Sequence, residues 1–220
     1  MFANKRVKQL KPLFAGRKNR SIWIAVALVV AAIWFLKYEV MEDCIPKEFG
    51  VVEQGRIYRS GQLDAALVKR ILTKYKIGLI VGLSGDSLDD IDKKTERRTA
   101  DELGIERLVL PLCGDGTGDI KIYAEAISAI CRAKKEGRPV LVHCSAGSQR
   151  TSGVIAAYRL LIEKKDVPFV LAEMKRYGAN IDCNSPLLQY LNSSLEDLSE
   201  LLKQMGVIKN ISSPMPQIHP

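Results

Sequence analysis

The sequence predicts an α/β domain, a single central mixed sheet flanked by helices, preceded by one transmembrane helix. Three observations carry this prediction. Short apolar runs alternate with stretches whose apolar residues recur every three or four positions, the pattern of strands covered by helices. Fifteen consecutive apolar residues, Ile22 to Leu36, stand alone near the N-terminus. One segment, PVLVHCSAGSQRTSG (139–153), reads as a strand, a small-residue loop and a helix start.

At 220 residues the chain has room for one well-packed domain and an appendage. Its formal charge of +8 is concentrated in a tail: Lys5, Arg6, Lys8, Lys11, Arg17, Lys18 and Arg20 have no acidic neighbour in the first twenty residues. The other 200 residues carry 26 basic and 25 acidic groups, so a basic domain gripping nucleic acid is excluded as a first reading. Residues 1–20 form the basic tail, 21–37 the anchor, 38–45 a linker, 46–205 the domain and 206–220 a flexible tail. As a helix, fifteen residues extend ~23 Å, and snorkelling Arg20 and Lys37 close most of the gap to a hydrocarbon core of about 30 Å. Trp23, Trp34 and Phe35 sit near its two ends. A buried core helix and a cleaved signal peptide are the rivals. KYEVMEDC offers no clear cleavage site, which favours an uncleaved anchor. The basic tail places the N-terminus in the cytoplasm and the domain across the membrane, in a periplasm, a lumen or the exterior.

Within the domain, FGVVEQGRIYRSG reads as two short strands around Glu53–Gly55. A helix over Asp64–Tyr75 follows from Leu67, Val68, Ile71 and Leu72. Ile77–Leu83 is a continuous apolar run suited to a strand covered on both faces. After a polar loop, Ser84–Asp92, come a helix (Lys93–Leu103), a strand (Ile105–Leu112) and a Gly/Asp loop. Ile120–Lys135 is helical, Pro139–His143 a buried strand, and Thr151–Glu163 and Asp166–Arg176 are helices. Asn184–Ser185–Pro186 opens a last helix. Its stripe of Leu187, Leu191, Leu195, Leu198 and Leu202 packs on the core or, less simply, meets a partner.

The loop after Pro139–His143 carries the chemistry. Its backbone N–H groups and the helix start converge on one spot, where a tetrahedral oxyanion fits. Arg150 adds a planar fork for two oxygens. The same field favours the thiolate of Cys144, since cysteines at helix N-termini beside cations ionise at about 3.5–7.5. A loop that binds an anion and ionises a nucleophile aimed at it suits covalent phosphoryl transfer.

HCSAGSQRT resembles the His-Cys-x5-Arg-Ser/Thr signature of the cysteine-dependent protein tyrosine and dual-specificity phosphatase superfamily, and GRIYRSGQL resembles the entry strand of its compact members. The resemblance covers roughly Val51 to Gly178 and implies a dual-specificity phosphatase-like fold. It implies Cys144 as nucleophile and Arg150 as phosphate clamp, with Ser145, Ala146, Gly147, Ser148 and Gln149 lining the anion site. Thr151 would assist departure of the sulfur, and His143 would order the loop behind it. Relatives place an acidic residue on a loop about thirty residues before the cysteine. Asp115 and Asp119 stand 29 and 25 residues upstream; Asp115 is the favoured general acid and Asp119 the favoured helix cap. Where some relatives carry an acid just before the arginine, this chain has Gln149, which leaves more to Asp115 or gives Gln149 the attacking water to position. Arg59 either braces the site or substrate or forms a structural salt bridge. Tyr177–Gly178 reads as a helix end.

The uncharged loop favours a phosphorylated protein or small phosphomonoester over a highly phosphorylated inositol, which relatives meet with loop lysines. The alternatives are a phosphoinositide or inositol-phosphate phosphatase, a sulfur- or arsenate-handling enzyme, and an inactive membrane-anchored phosphate-binding module. No cofactor is expected: of two histidines His143 belongs to the loop and His219 to the tail, and no Cys-x-x-Cys occurs. Spacing does not decide whether Cys44, Cys113, Cys131 and Cys183 are bridged. Asn192 and Asn210 open formal glycosylation sequons.

Overall fold

The computed structural model describes residues 17–35, 46–87 and 89–219. The chain divides after Cys44 into two units. From the first, helix α1 (Arg17–Phe35) is described. It occupies the place of the expected anchor, and Trp23, Ile24, Val26, Leu28, Val29, Val30, Ile33 and Trp34 are all exposed. Among the described residues, however, no helix is long and apolar enough to cross a membrane. The rest of the expected basic tail (1–16), the end of the anchor and the whole 38–45 linker with Cys44 lie outside the described residues.

The second unit is built on a five-stranded sheet of order β1-β2-β5-β3-β4. β1 (Gly50–Glu53) and β2 (Ile57–Ser60) form an antiparallel hairpin with a register shift at Val51/Glu53. β5 (Val140–His143) runs parallel to both β2 and β3 (Leu79–Gly82), and β4 (Glu106–Val109) pairs parallel to β3 on the far edge. The mixed α/β architecture is therefore as expected. The central position of β5 matters most: its carboxyl end lies between those of two neighbours, with His143 opposite both Ser60 and Gly82. Ligands in open α/β sheets bind outside such strand ends.

Alternate residues of each strand enter opposite layers. Ile57, Leu79, Val81, Val140 and Val142 join the larger core with α4 (Ile120–Lys135), α5 (Gln149–Leu161) and α7 (Pro186–Gln204). Tyr58, Ile80 and Leu141 join a smaller core with α2 (Ala65–Lys74) and Ala100 of α3 (Ile91–Leu103). By the same alternation Arg59 belongs to the α5 layer and His143 to the α3 layer.

α5 is buried from Thr151 to Leu161 because it lies under other helices, packing against α6 (Val167–Arg176) and α7. Asp166 caps α6 by accepting from Phe169 N at 3.2 Å. The leucine stripe of α7 is at most 1% exposed, which assigns it to the core and excludes a partner interface; each side chain so buried contributes about 1.5–3 kcal/mol.

The tail after Gln204 has no regular strand or helix, yet it differs from the expected flexible one. Ile218 is 1% exposed and is held twice by Asn192, whose Oδ1 accepts its N–H at 2.7 Å and whose Nδ2 donates to its carbonyl at 3.0 Å. Lys164 Nζ donates to Ser212 Oγ at 2.8 Å. The apolar Ile218 and the paired carboxamide, invisible to a composition argument, tie the segment to α7. The Asn192 sequon is thereby occupied by a structural contact.

Candidate active site

β5 ends at His143, and the chain turns through Cys144–Ser148 into α5. Cys144 is 1% exposed, and the N–H of Gly147 donates to its Sγ at 3.2 Å. Gly147 has φ +81°, and a Cβ there would stand 2.5 Å from Gly61 N and 2.8 Å from Ser60 C. Only glycine fits both the conformation and the space.

The loop is clamped from both flanking strands. From the β2 side, Gln62 N donates to Ser145 O at 3.2 Å, and Arg59 Nη2 donates to Gly147 O at 2.7 Å and to Ser152 Oγ at 2.8 Å. From the β3 side, Ser84 Oγ accepts from Ser145 N and from Arg150 Nη1, each at 2.9 Å. Ser84 thus holds the loop and the arginine together. In the sequence it is marked only as the start of a polar loop. Arg150 also approaches Leu83 O at 3.5 Å, while its buried Nε has no partner. The Thr151 hydroxyl and the Gln149 Oε1 are likewise buried and unpartnered, leaving both available to a bound group.

Arg59 is one of the largest fully buried side chains among the described residues. Among the described residues its side-chain hydrogen bonds go to Gly147 O and Ser152 Oγ, which supports the bracing reading over a salt bridge. Its guanidinium stacks 3.8 Å from the ring centroid of Tyr177, the residue that ends α6. Tyr177 is therefore more than the helix end the sequence suggested. Burial lowers the Arg59 pKa to about 10, opposed by negative charge at Glu173, Tyr177, Cys144 and Glu48.

His143 turns into the α3 layer, where its Nε2 lies 3.2 Å from Oε2 of Glu96. Glu96 is wholly buried and also accepts from Gln62 Nε2 and Arg107 Nε, both at 2.9 Å. Burial pushes its pKa up, but His143 and then Arg107 outweigh this and hold it at about 2. Arg107 in turn bonds Asp86, whose carboxyl it holds below the usual carboxylate range. Nothing in the sequence distinguishes Glu96 from the other charges of DKKTERR; its depth comes from the packing of α3.

Asp119 caps α4, its Oδ1 accepting from Lys121 N at 2.9 Å. Asp115 is exposed, and its Oδ1 accepts from the N–H of Thr117 at 3.0 Å and from its hydroxyl at 2.8 Å. These two donors hold its carboxyl below the ordinary range. The Asp115 loop abuts the anion loop: a Cβ on Gly116 (φ +92°) would lie 3.2 Å from Gln149 O. Cys113, Cys131, Cys144 and Cys183 are free thiols, and burial pushes that of Cys131 up.

The site thus joins a buried thiol that accepts the Gly147 N–H to a loop tied, through Ser84, to the Arg150 guanidinium. No protein-family model matches the chain. The dual specificity protein phosphatase OPG106 of vaccinia virus (strain Western Reserve) is 32% identical over 76 residues, 34% of this chain and 44% of that protein. The dual specificity protein phosphatase TpbA of Pseudomonas aeruginosa (strain UCBPP-PA14) is 28% identical over 125 residues, 56% of this chain and 51% of that protein. The crystal structure of P. aeruginosa TpbA superposes with a TM-score of 0.56 at 22% identity, covering 71% of this chain and 91% of that one. The chain is similar in sequence, over part of its length, to dual specificity protein phosphatases and shares the fold of one of them. The fold is also that of the core catalytic domain of the PP-IP phosphatase Siw14 of S. cerevisiae, with a TM-score of 0.57 at 15% identity over 78% of this chain and 97% of that one. The chain spans about half or less of the length of the curated relatives named here.

Proposed function

We propose that this protein hydrolyses phosphomonoesters through a cysteinyl-phosphate intermediate, acting on phosphotyrosine or on phosphorylated proteins with dual specificity. One observation carries the reading: Cys144 Sγ sits at the base of a loop whose Gly147 N–H already donates to it and which shares Ser84 with the Arg150 guanidinium. In the first step the sulfur attacks phosphorus, an S–P bond forms, and the ester P–O bond breaks. Arg150 and the loop N–H groups hold the equatorial oxygens. Asp115 delivers a proton to the leaving oxygen, for which it must release the donors of Thr117 that favour its ionised form. In the second step water attacks phosphorus, Asp115 takes its proton, and the thiolate departs with a hydrogen bond from Thr151. Gln149 Oε1, buried and unpartnered, is placed to orient that water.

Substrate class rests on the loop itself. Ser145, Ala146, Gly147, Ser148 and Gln149 bring no charge to the anion site, which suits one phosphate better than a cluster of them. The fold shared with a PP-IP phosphatase supports the inositol-phosphate reading as the second choice. Attachment of the domain to a membrane through α1, with the domain on the far side, is supported by the exposed apolar side chains of α1 and by the basic residues before it.

A panel of phosphopeptides, phosphoinositides and inositol phosphates tests substrate and mechanism together. The wild type is expected to turn over phosphotyrosine peptides without added metal, and Cys144→Ser to lose turnover while still binding them. Full activity in Cys144→Ser would sink the mechanism. Preference for an inositol phosphate would sink the substrate assignment alone.

A further inference from the structure

We infer that Arg59, covered by Tyr177, is a positioning residue that locks one peptide plane of the anion loop, Gly147–Ser148, with its N–H aimed at the bound oxyanion. The inference rests on the phosphatase reading and adds to it the device that keeps the cradle in its binding form.

Arg59 lies behind the loop, on the second residue from the end of β2, and Nη2 takes hold of the Gly147 carbonyl at 2.7 Å. The Gly147–Ser148 peptide is trans. In a trans peptide the C=O and N–H point in opposite directions, so a carbonyl drawn back to Arg59 sends the Ser148 N–H the other way. That way leads into the cradle over Cys144. The peptide would otherwise turn with little resistance, because Gly147 at φ +81° tolerates conformations closed to other residues. A turned plane would present a carbonyl oxygen to an anion and withdraw one of its donors. The second bond of Nη2, to Ser152 Oγ at 2.8 Å, ties the guanidinium to the first turns of α5 and fixes its position relative to the helix that ends the loop.

The electrostatics agree with this assignment. A buried guanidinium without a carboxylate is costly, and Arg59 has Nε and Nη1 buried without partners. At about 10 its pKa leaves it cationic at neutral pH. The charge that completes it is the anion bound at Cys144. Tyr177 supplies the remaining support, its ring face 3.8 Å from the guanidinium carbon. The ring also walls a surface cavity of about 290 Å³ with Val51, Phe169 and Arg176, so Arg59 is separated from solvent on that side by one aromatic ring.

The test compares carboxymethylation of Cys144 by iodoacetate, an anion, with alkylation by neutral iodoacetamide. Both are followed on the Cys144 peptide by mass spectrometry in the full-length protein. The wild type is expected to favour iodoacetate. Arg59→Gln should lose that preference and its affinity for inorganic phosphate by about ten- to a hundredfold, the value of one hydrogen bond to a charged group. Its iodoacetamide rate should change by no more than about threefold, because the Gly147 N–H to sulfur belongs to a different peptide. Arg59→Lys should restore part of the loss. Tyr177→Ala should show a smaller loss in the same ratio and Tyr177→Phe none. In the wild type, the Ser148 amide resonance should move as phosphate is added. A folded Arg59→Gln with the wild-type ratio and phosphate affinity overturns the inference and leaves the phosphatase reading intact. Should that variant fail to fold, an unaltered ratio in Tyr177→Ala or a stationary Ser148 resonance overturns it. A wild type with no preference for iodoacetate overturns the anion cradle itself.

Discussion

Glu96→Gln removes one negative charge from a pocket that holds it on three sides while keeping the side chain's size. Arg107 and Gln62 donate to the carboxylate at 2.9 Å, and His143 stands at 3.2 Å. Folding takes its pKa from an ordinary 4.5 to about 2, against the upward push of burial. A carboxyl depressed on folding stabilises the fold fully above its unfolded value, and that stability is lost as pH falls through the folded one. A displacement of this size is worth roughly 3 kcal/mol at pH 7, declining to about half by pH 3. Glu96→Gln should therefore lower stability by about 3 kcal/mol at pH 7, and the gap to wild type should close as the pH is lowered toward 2. Urea unfolding followed by far-UV circular dichroism, which follows the helices α2–α7, is the assay. A gap below about 1 kcal/mol at pH 7, or one that is the same at pH 7 and pH 3, refutes the reasoning.

Asp115→Ala should lower kcat on an aryl phosphate by about 10²–10³, whereas Asp119→Ala should cost about 1 kcal/mol of stability through its cap and leave kcat within a few-fold; the reverse reassigns the acid. Removing the hydroxyl that holds Asp115 ionised, by Thr117→Val, should move the alkaline limb of the kcat–pH profile upward, and a stationary limb refutes that coupling. Protease added outside intact cells or sealed vesicles should cleave the domain only where the far side of the membrane is exposed. Digestion confined to lysed samples reverses the orientation.

Much of the site was legible because it is local. The strand, the loop and the helix start from Pro139 to Gly153 are contiguous, and Cys144, Gly147, Arg150 and Thr151 take their positions from that one turn. Asp119 as a cap, with Asp115 free of the helix, was likewise readable from spacing along a single loop. The alternating apolar runs announced a sheet covered on both faces, and the α7 leucines announced a buried stripe. The ordered tail escaped because Asn192 and Ile218 meet across 26 residues, and no composition reports a pairing of that kind.

Arg59 and Glu96 show where the sequence stops. Each stands in a stretch with other charges, and each is buried for a reason that lies in the sheet. The strand order seats β5 between β2 and β3, so residues 88 positions apart, Arg59 and Gly147, become neighbours. Strand alternation then sends Arg59 toward α5 and His143 toward α3, where Glu96 meets it. Cys144 and its loop follow from local backbone geometry and were determined by the sequence itself. The charges that brace the loop from either face exist as a set only because parallel pairing aligns three strand ends, and that alignment belongs to the tertiary structure.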